Sequence, residues 1–162
     1  MEATILLCDY AEAVNGKLYV MGGGWTNCPP GIRSMSVAVR ALVPWLETNT
    51  KHKFNLMLQE ENGNTVTLGE PPKEVKGEGE FEVGRPPGIV EGTELPVSVV
   101  LTFNGLPLEP EKGYRWQLEI NDEPAGRASF RTWKAQSGPI VFKKIHPGIQ
   151  IYRRSGGRSA LK

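Results

Sequence analysis

Glu78, Glu80 and Glu82 alternate through the run GEGEFE, and no other residues of this chain come closer to chemistry by type and spacing. On a β-strand, residues i and i+2 share a face about 6.8 Å apart. That is near the carboxylate separation used in glycoside cleavage, and jelly-roll glycosidases place such pairs on a concave sheet. The mechanism also requires one carboxyl to be buried and held protonated while the other stays ionised, and nothing in the local sequence prepares that difference. The plainer reading is the solvated face of a strand whose negative charge discourages edge pairing.

The run LYVMGGGW, Leu18 to Trp25, raises a second chemical question, because glycines after an apolar strand can cradle a phosphate. A phosphate loop needs glycines that open a helix, so that backbone N–H groups and the helix N-terminus face the anion. Here Gly22, Gly23 and Gly24 lead into WTNCPPGIR, where Pro29 and Pro30 bar an immediate helix and no Lys-Ser or Lys-Thr follows. The glycines therefore read as a bulge, or as a place where another backbone or Trp25 packs closely.

Nucleophilic and metal chemistry find little to work with. His52 stands at a strand start between Lys51 and Lys53, and His146 precedes Pro147. A catalytic triad needs nucleophile, base and orienter together, and a metal needs three or four ligands. The only aspartates are Asp9 and Asp122, so no Asp-rich calcium loop is present. No catalytic residue, cofactor or metal is assigned, and the chain is expected not to be an enzyme. Of the four tryptophans, Trp116 lies on an apolar strand face and reads as core. Trp45 and Trp133 are the candidate ligand surface, with capping of the fold as the alternative.

Cys8 and Cys28 make no disulfide framework. If Asn15-Gly16 is a two-residue hairpin turn, Cys8 faces Gly23, and Cys28 lies five residues further on. At ~3.4 Å per residue the gap is about 17 Å, against less than ~7 Å for a disulfide. Two free thiols are expected, as in a reducing cytosol.

The charge is unevenly spread. Residues 1–133 hold 12 Lys and Arg against all 18 Asp and Glu, a net −6, while residues 134–162 hold seven cations and no acid. Lys143, Lys144, Arg153, Arg154 and Arg158 are the candidate partner-binding residues of this tail. Such a tail suits an acidic protein surface, including a second copy of the chain. Nucleic acid is the weaker expectation, since no aromatic interleaving or RNA-binding motif accompanies the charge, and a solvated terminus is the plain alternative.

A chain of 162 residues suits one domain. With 39% apolar and 23% charged residues it has the composition of a soluble protein. No apolar run approaches the ~20 residues of a membrane helix, so no membrane partner is expected. The start MEATILLCDYAE lacks a basic n-region, so no signal peptide is read and a cytoplasmic location is expected, or a virion if the protein is phage-encoded.

The elements that must position these residues read with period two almost throughout. Strands are expected near 3–10, 17–25, 34–43, 52–60, 64–69, 76–83, 96–104, 113–121 and 126–133. Asn15-Gly16, Asn62-Gly63, Pro71-Pro72, Pro86-Pro87-Gly88, Asn104-Gly105 and Asn121-Asp122 punctuate them. The segment PWLETN suits a single helical turn with Pro44 at its first position. The pattern predicts an all-β fold: one antiparallel β-sandwich, jelly-roll or Ig/C2-like, of eight to nine strands over residues 1–133. Ser34, Ser36 and Arg40 are expected on a wet outer face. Residues 134–162 form a basic extension with a candidate edge strand at 140–145 and an end at 153–162 expected to be mobile.

Three stretches, GKLYVMGGGW, VPWLETNTKHKFNLMLQEENG and FEVGRPPGIVEGTELPVSVVLTFNGLPLEPEKGYRW, resemble an uncharacterised family of small proteins of actinobacteria and their phages, a domain of unknown function, over about residues 3–133. GRPPG (Gly84 to Gly88) and LPLEPEKGYRW (Leu106 to Trp116) are its more specific parts. The resemblance implies an all-β domain of phage or bacterial cytoplasmic origin and no activity. The expected function is a non-enzymatic binding or assembly module, a phage-encoded accessory or structural protein being the finer form. The alternative is a carbohydrate-binding or carbohydrate-cleaving jelly roll using the Glu78, Glu80 and Glu82 face.

Overall fold

The computed structural model describes residues 1–32 and 34–134, together with the backbone of two further strands at 140–146 and 149–154. Alternating apolar residues that cannot satisfy a helical stripe form strands instead, and their free N–H and C=O groups pair laterally into ladders. Strands β1 (Glu2–Val14), β2 (Lys17–Gly23), β4 (Ser34–Val43) and β9 (Leu95–Asn104) form one sheet in the order β2-β1-β4-β9. Strands β3 (Asn27–Cys28), β5 (Lys51–Glu60), β8 (Lys76–Glu82), β10 (Gly113–Ile120) and β11 (Glu123–Thr132) form the other, in the order β3-β11-β10-β5-β8. Every pairing in these two sheets is antiparallel except the short parallel contact of β3 with β11.

The inner faces meet in one core. Met35, Val37, Val39 and Ala41 of β4 oppose Leu56 and Leu58 of β5 and Trp116, Leu118 and Ile120 of β10, all buried. The Trp116 ring stacks 4.3 Å from that of Phe103, and its Nε1–H donates to Met35 Sδ at 3.2 Å. Each such large side chain contributes roughly 1.5–3 kcal/mol by leaving water. This is the expected β-sandwich, with Trp116 at its centre.

Several boundaries differ from the sequence reading. The strand expected at 64–69 shrinks to β6 (Thr67–Leu68), which pairs with β7 (Lys73–Glu74), plus a bridge from Thr65 to Gln59. The expected helical turn is a 3-10 turn at Trp45–Glu47, with Pro44 just before it rather than inside it. β1 runs on to Val14 because it continues into a hairpin with β2.

That hairpin departs most from expectation. Asn15 and Gly16 both take left-handed φ, 50° and 73°, as a type I′ turn requires. The register follows from the turn: Val14 opposes Lys17 and Cys8 opposes Gly23. The hairpin then lies over the outer face of β4 and β9. Ser98 Oγ donates to Gly16 O at 3.1 Å, and Cys8, Ala11 and Ala38 cluster with Leu18 and Val100. The expectation of a wet outer face at Ser36 is therefore corrected. Ser36 is fully buried with its hydroxyl 2.9 Å from that of Thr102, while Arg40 stays exposed.

The candidate edge strand at 140–145 falls on a strand. It is β12 (Ile140–His146), but it pairs with β13 (Ile149–Arg154) in a two-stranded sheet of its own rather than on the sandwich edge. Arg153 and Arg154, read as part of the mobile end, lie in β13, and residues 155–162 fall outside the described residues.

Candidate functional site

The acidic stripe sits on β8, the edge of the second sheet. Its alternation has a packing cause. Gly77 and Gly79 face inward, where a Cβ on Gly77 would run into the side chains of Leu101 and Phe103 and one on Gly79 would come within 2.9 Å of the Phe54 ring. The glutamates take the opposite face. Glu78 is paired to Lys76 at 3.1 Å, and the register sets Glu80 opposite Lys53 and Glu82 opposite Lys51. Opposite charges on facing strands stabilise a sheet surface. An open depression of 370 Å³ lies beside Glu78 and Glu80, lined also by Lys53, Phe54 and Asn55. Neither Trp45 nor Trp133 lines it.

His52 is a structural residue. It is buried, its ring lies 5.3 Å from that of Phe81, and both nitrogens are engaged. The main-chain N–H of Lys53 donates to Asn121 Oδ1, which turns Asn121 Nδ2 toward His52 Nδ1 at 3.0 Å. Nδ1 therefore accepts, and Nε2–H donates to Glu47 O at 2.8 Å. Among the described residues no group of three His, Cys, Asp or Glu could hold a metal ion.

Both cysteines are free, as expected, and both are buried. Burial raises the Cys28 thiol to about 11. Cys8 is raised by burial and by the charge of Asp9, against a hydrogen bond from the Ala38 backbone, and its Sγ–H donates to Ser36 O at 3.3 Å.

The two tryptophans offered as a ligand surface are tied into the scaffold. The Arg85 guanidinium, from GRPPG, lies 4.4 Å over the Trp45 ring, donates to Trp45 O at 2.9 Å and reaches Thr48 Oγ1 at 2.6 Å. Cation–π stacking plus two hydrogen bonds lock the 3-10 turn to the loop after β8. Trp133 is half-buried, its N–H bonded to Cys28 O and its carbonyl accepting from Glu111 N–H. Neither Trp45 nor Trp133 lines the depressions beside β8, β10–β11 or the β8–β9 loop.

The surface that sequence reading missed is apolar. On the outer side of the β1–β2 hairpin Tyr10, Tyr19 and Met21 stand 48%, 56% and 67% exposed. The register pairs Tyr10 with Met21 and Glu12 with Tyr19, so these side chains share one face. The Tyr10 hydroxyl donates to the Glu12 carboxylate, which raises the phenol above its ordinary range. β2 is the end strand of its sheet, and among the described residues no strand pairs with its outer edge. Leu46 and Val90 stand out from the crossover loops at 89% and 75% exposure. The signal was present in YVM, but period two alone does not say which face of a hairpin is covered.

Of the tail candidates, Lys143 and Lys144 fall on β12 and Arg153 and Arg154 on β13, where Lys143 pairs with Ile151, Lys144 with Gln150, Arg153 with Val141 and Arg154 with Ile140. Arg158 lies outside the described residues.

Residues 3–132 match the model of a family described as a family of unknown function, DUF6941, close to the span of the resemblance read from GRPPG and LPLEPEKGYRW. No curated protein and no solved structure matches the chain.

Proposed function

Because the chain belongs to the family of unknown function DUF6941, which assigns no chemistry, we propose a function read from its surface: a non-enzymatic protein-binding or assembly module. One observation carries the reading. The hairpin presents three large apolar side chains, Tyr10, Tyr19 and Met21, beside a strand edge that is unpaired among the described residues. Exposed apolar side chains grouped on one face mark an interaction site, and Tyr and Met are enriched where partners dock. The basic tail, with Lys143, Lys144, Arg153, Arg154 and Arg158, is a second contact for an acidic partner surface. The finer reading is a phage-encoded accessory or structural protein, acting in the cytoplasm or the virion, for which gene neighbourhood is the test. The carbohydrate reading has less support, because Glu80 and Glu82 stand opposite Lys53 and Lys51 and Glu78 is paired to Lys76.

The test is a photo-crosslinking residue placed at Met21 of the full chain in the producing cell. A covalent adduct with a polypeptide is expected. Absence of any polypeptide adduct, with the purified protein correctly folded, overturns the reading.

A further inference from the structure

We infer that the occupant of the β2 edge is a second copy of this chain, joined by antiparallel β2–β2 pairing about a two-fold axis through Val20. The inference rests on the binding-module reading and names its partner.

The backbone geometry comes first. In a two-residue hairpin the residues flanking the turn are a hydrogen-bonded pair, and such pairs alternate along the ladder. Val14–Lys17, Glu12–Tyr19 and Tyr10–Met21 are therefore the bonded pairs, and Leu18 and Val20 direct N–H and C=O away from β1 toward the free edge. An edge of this kind is a template for another strand. Pairing about Val20 sets Val20 opposite Val20 as a bonded pair and Leu18 opposite Gly22, joining two four-stranded sheets into one of eight.

Side-chain chemistry selects the same register. It sets Tyr19 of each copy opposite Met21 of the other, so the exposed apolar face of one hairpin continues into that of the next, with sulfur–aromatic contacts across the seam. Charge does not oppose it. Lys17 is the only charged residue of β2, and this register brings it level with Gly23 of the second copy, so no like charges oppose along the seam.

The other edges of the two main sheets are less suited. β8 carries Glu78, Glu80 and Glu82, and β3 has two residues. β9 opens with Leu95-Pro96, and its outer face carries the hairpin through Ser98 and Val100. A two-fold contact is also closed, whereas β2 on β9 would propagate into filaments.

The experiment uses the full chain. Sedimentation across a concentration series should show a dimer. Met21→Glu should weaken it about tenfold or more, while Met21→Leu keeps it. Val20→Cys should form an intermolecular disulfide on mild oxidation, since bonded pairs hold Cα atoms about 5.5 Å apart, within disulfide reach. Leu18→Cys, facing Gly22, should not. A monomer at every concentration, filaments, a dimer indifferent to Met21→Glu, or equal crosslinking at positions 18 and 20 overturns the proposal. If the Met21 probe then marks a different polypeptide, the binding-module reading stands without this partner. If it marks none, both fall.

Discussion

Gly22 shows why one residue in a glycine run matters more than its neighbours. Its φ is 61°, and a Cβ there would run into the Asp9 carboxylate. Gly23 needs no left-handed backbone, and a Cβ there would press on Val20 and Leu6 side chains. The run is therefore where the hairpin strand bends; Gly24 also takes a left-handed φ, 88°, but only at Gly22 does a Cβ clash as well. Gly22→Ala should lower stability by about 1 kcal/mol or more, read as a shifted denaturation midpoint at unchanged slope. An unchanged midpoint would show that the bend does not depend on glycine.

Cys28 gives a pH signature at the same scale. Its thiol is held up to about 11 by burial, against ~8.5 in an unfolded chain. The folded state thus binds this proton more tightly. The contribution is complete below pH ~8.5 and is lost as pH rises through about 11. Unfolding free energy should fall across this alkaline window by an amount on the order of 3 kcal/mol, and Cys28→Ala should flatten the fall. An equal fall in that variant would assign the alkaline loss to other groups.

At the scale of the element, β8 is where sequence pattern and packing explain each other. The alternation of Gly with Glu reads from sequence as a candidate active stripe or a solvated face. The fold shows that the glycines make room for Leu101, Phe103 and Phe54, and that Glu80 and Glu82 face lysines of β5. The hairpin of β1 and β2 is the converse case. Its register was legible to the residue, because a type I′ turn at Asn15-Gly16 leaves one pairing. Its position over β4 and β9 was not, because Ala11, Leu18 and Val100 are separated by up to 89 positions in the chain and carry no local sign of contact. The pairing of β12 with β13 was likewise missed, since IVFKKI suits a sandwich edge and a free hairpin equally.

Across the whole molecule the charges remain segregated, −6 over residues 1–133 against seven cations beyond them. β12 and β13 share no sheet with the sandwich. Truncation after Lys134 should therefore leave the thermal midpoint of the body unchanged. It should also remove the component of association that differs between ~50 and ~500 mM salt, where screening lengths fall from above 10 Å to a few Å. Sedimentation of full and truncated chains at both salts, with a melting curve for each, decides this. A lowered midpoint, or the same salt dependence in both chains, would refute it.

By itself the sequence determined the class of fold, the membership of the core around Trp116, the turns and the β1–β2 register. Each is set by local chemistry: alternation, the φ demands of Asn-Gly, and the volume of a buried aromatic. Tertiary structure alone decided that Arg85 covers Trp45, that His52 serves Glu47 and Asn121, and that Tyr10, Tyr19 and Met21 face outward beside an open edge. Those outcomes depend on which surfaces meet, and distant segments meet by burying area that no window of the sequence contains.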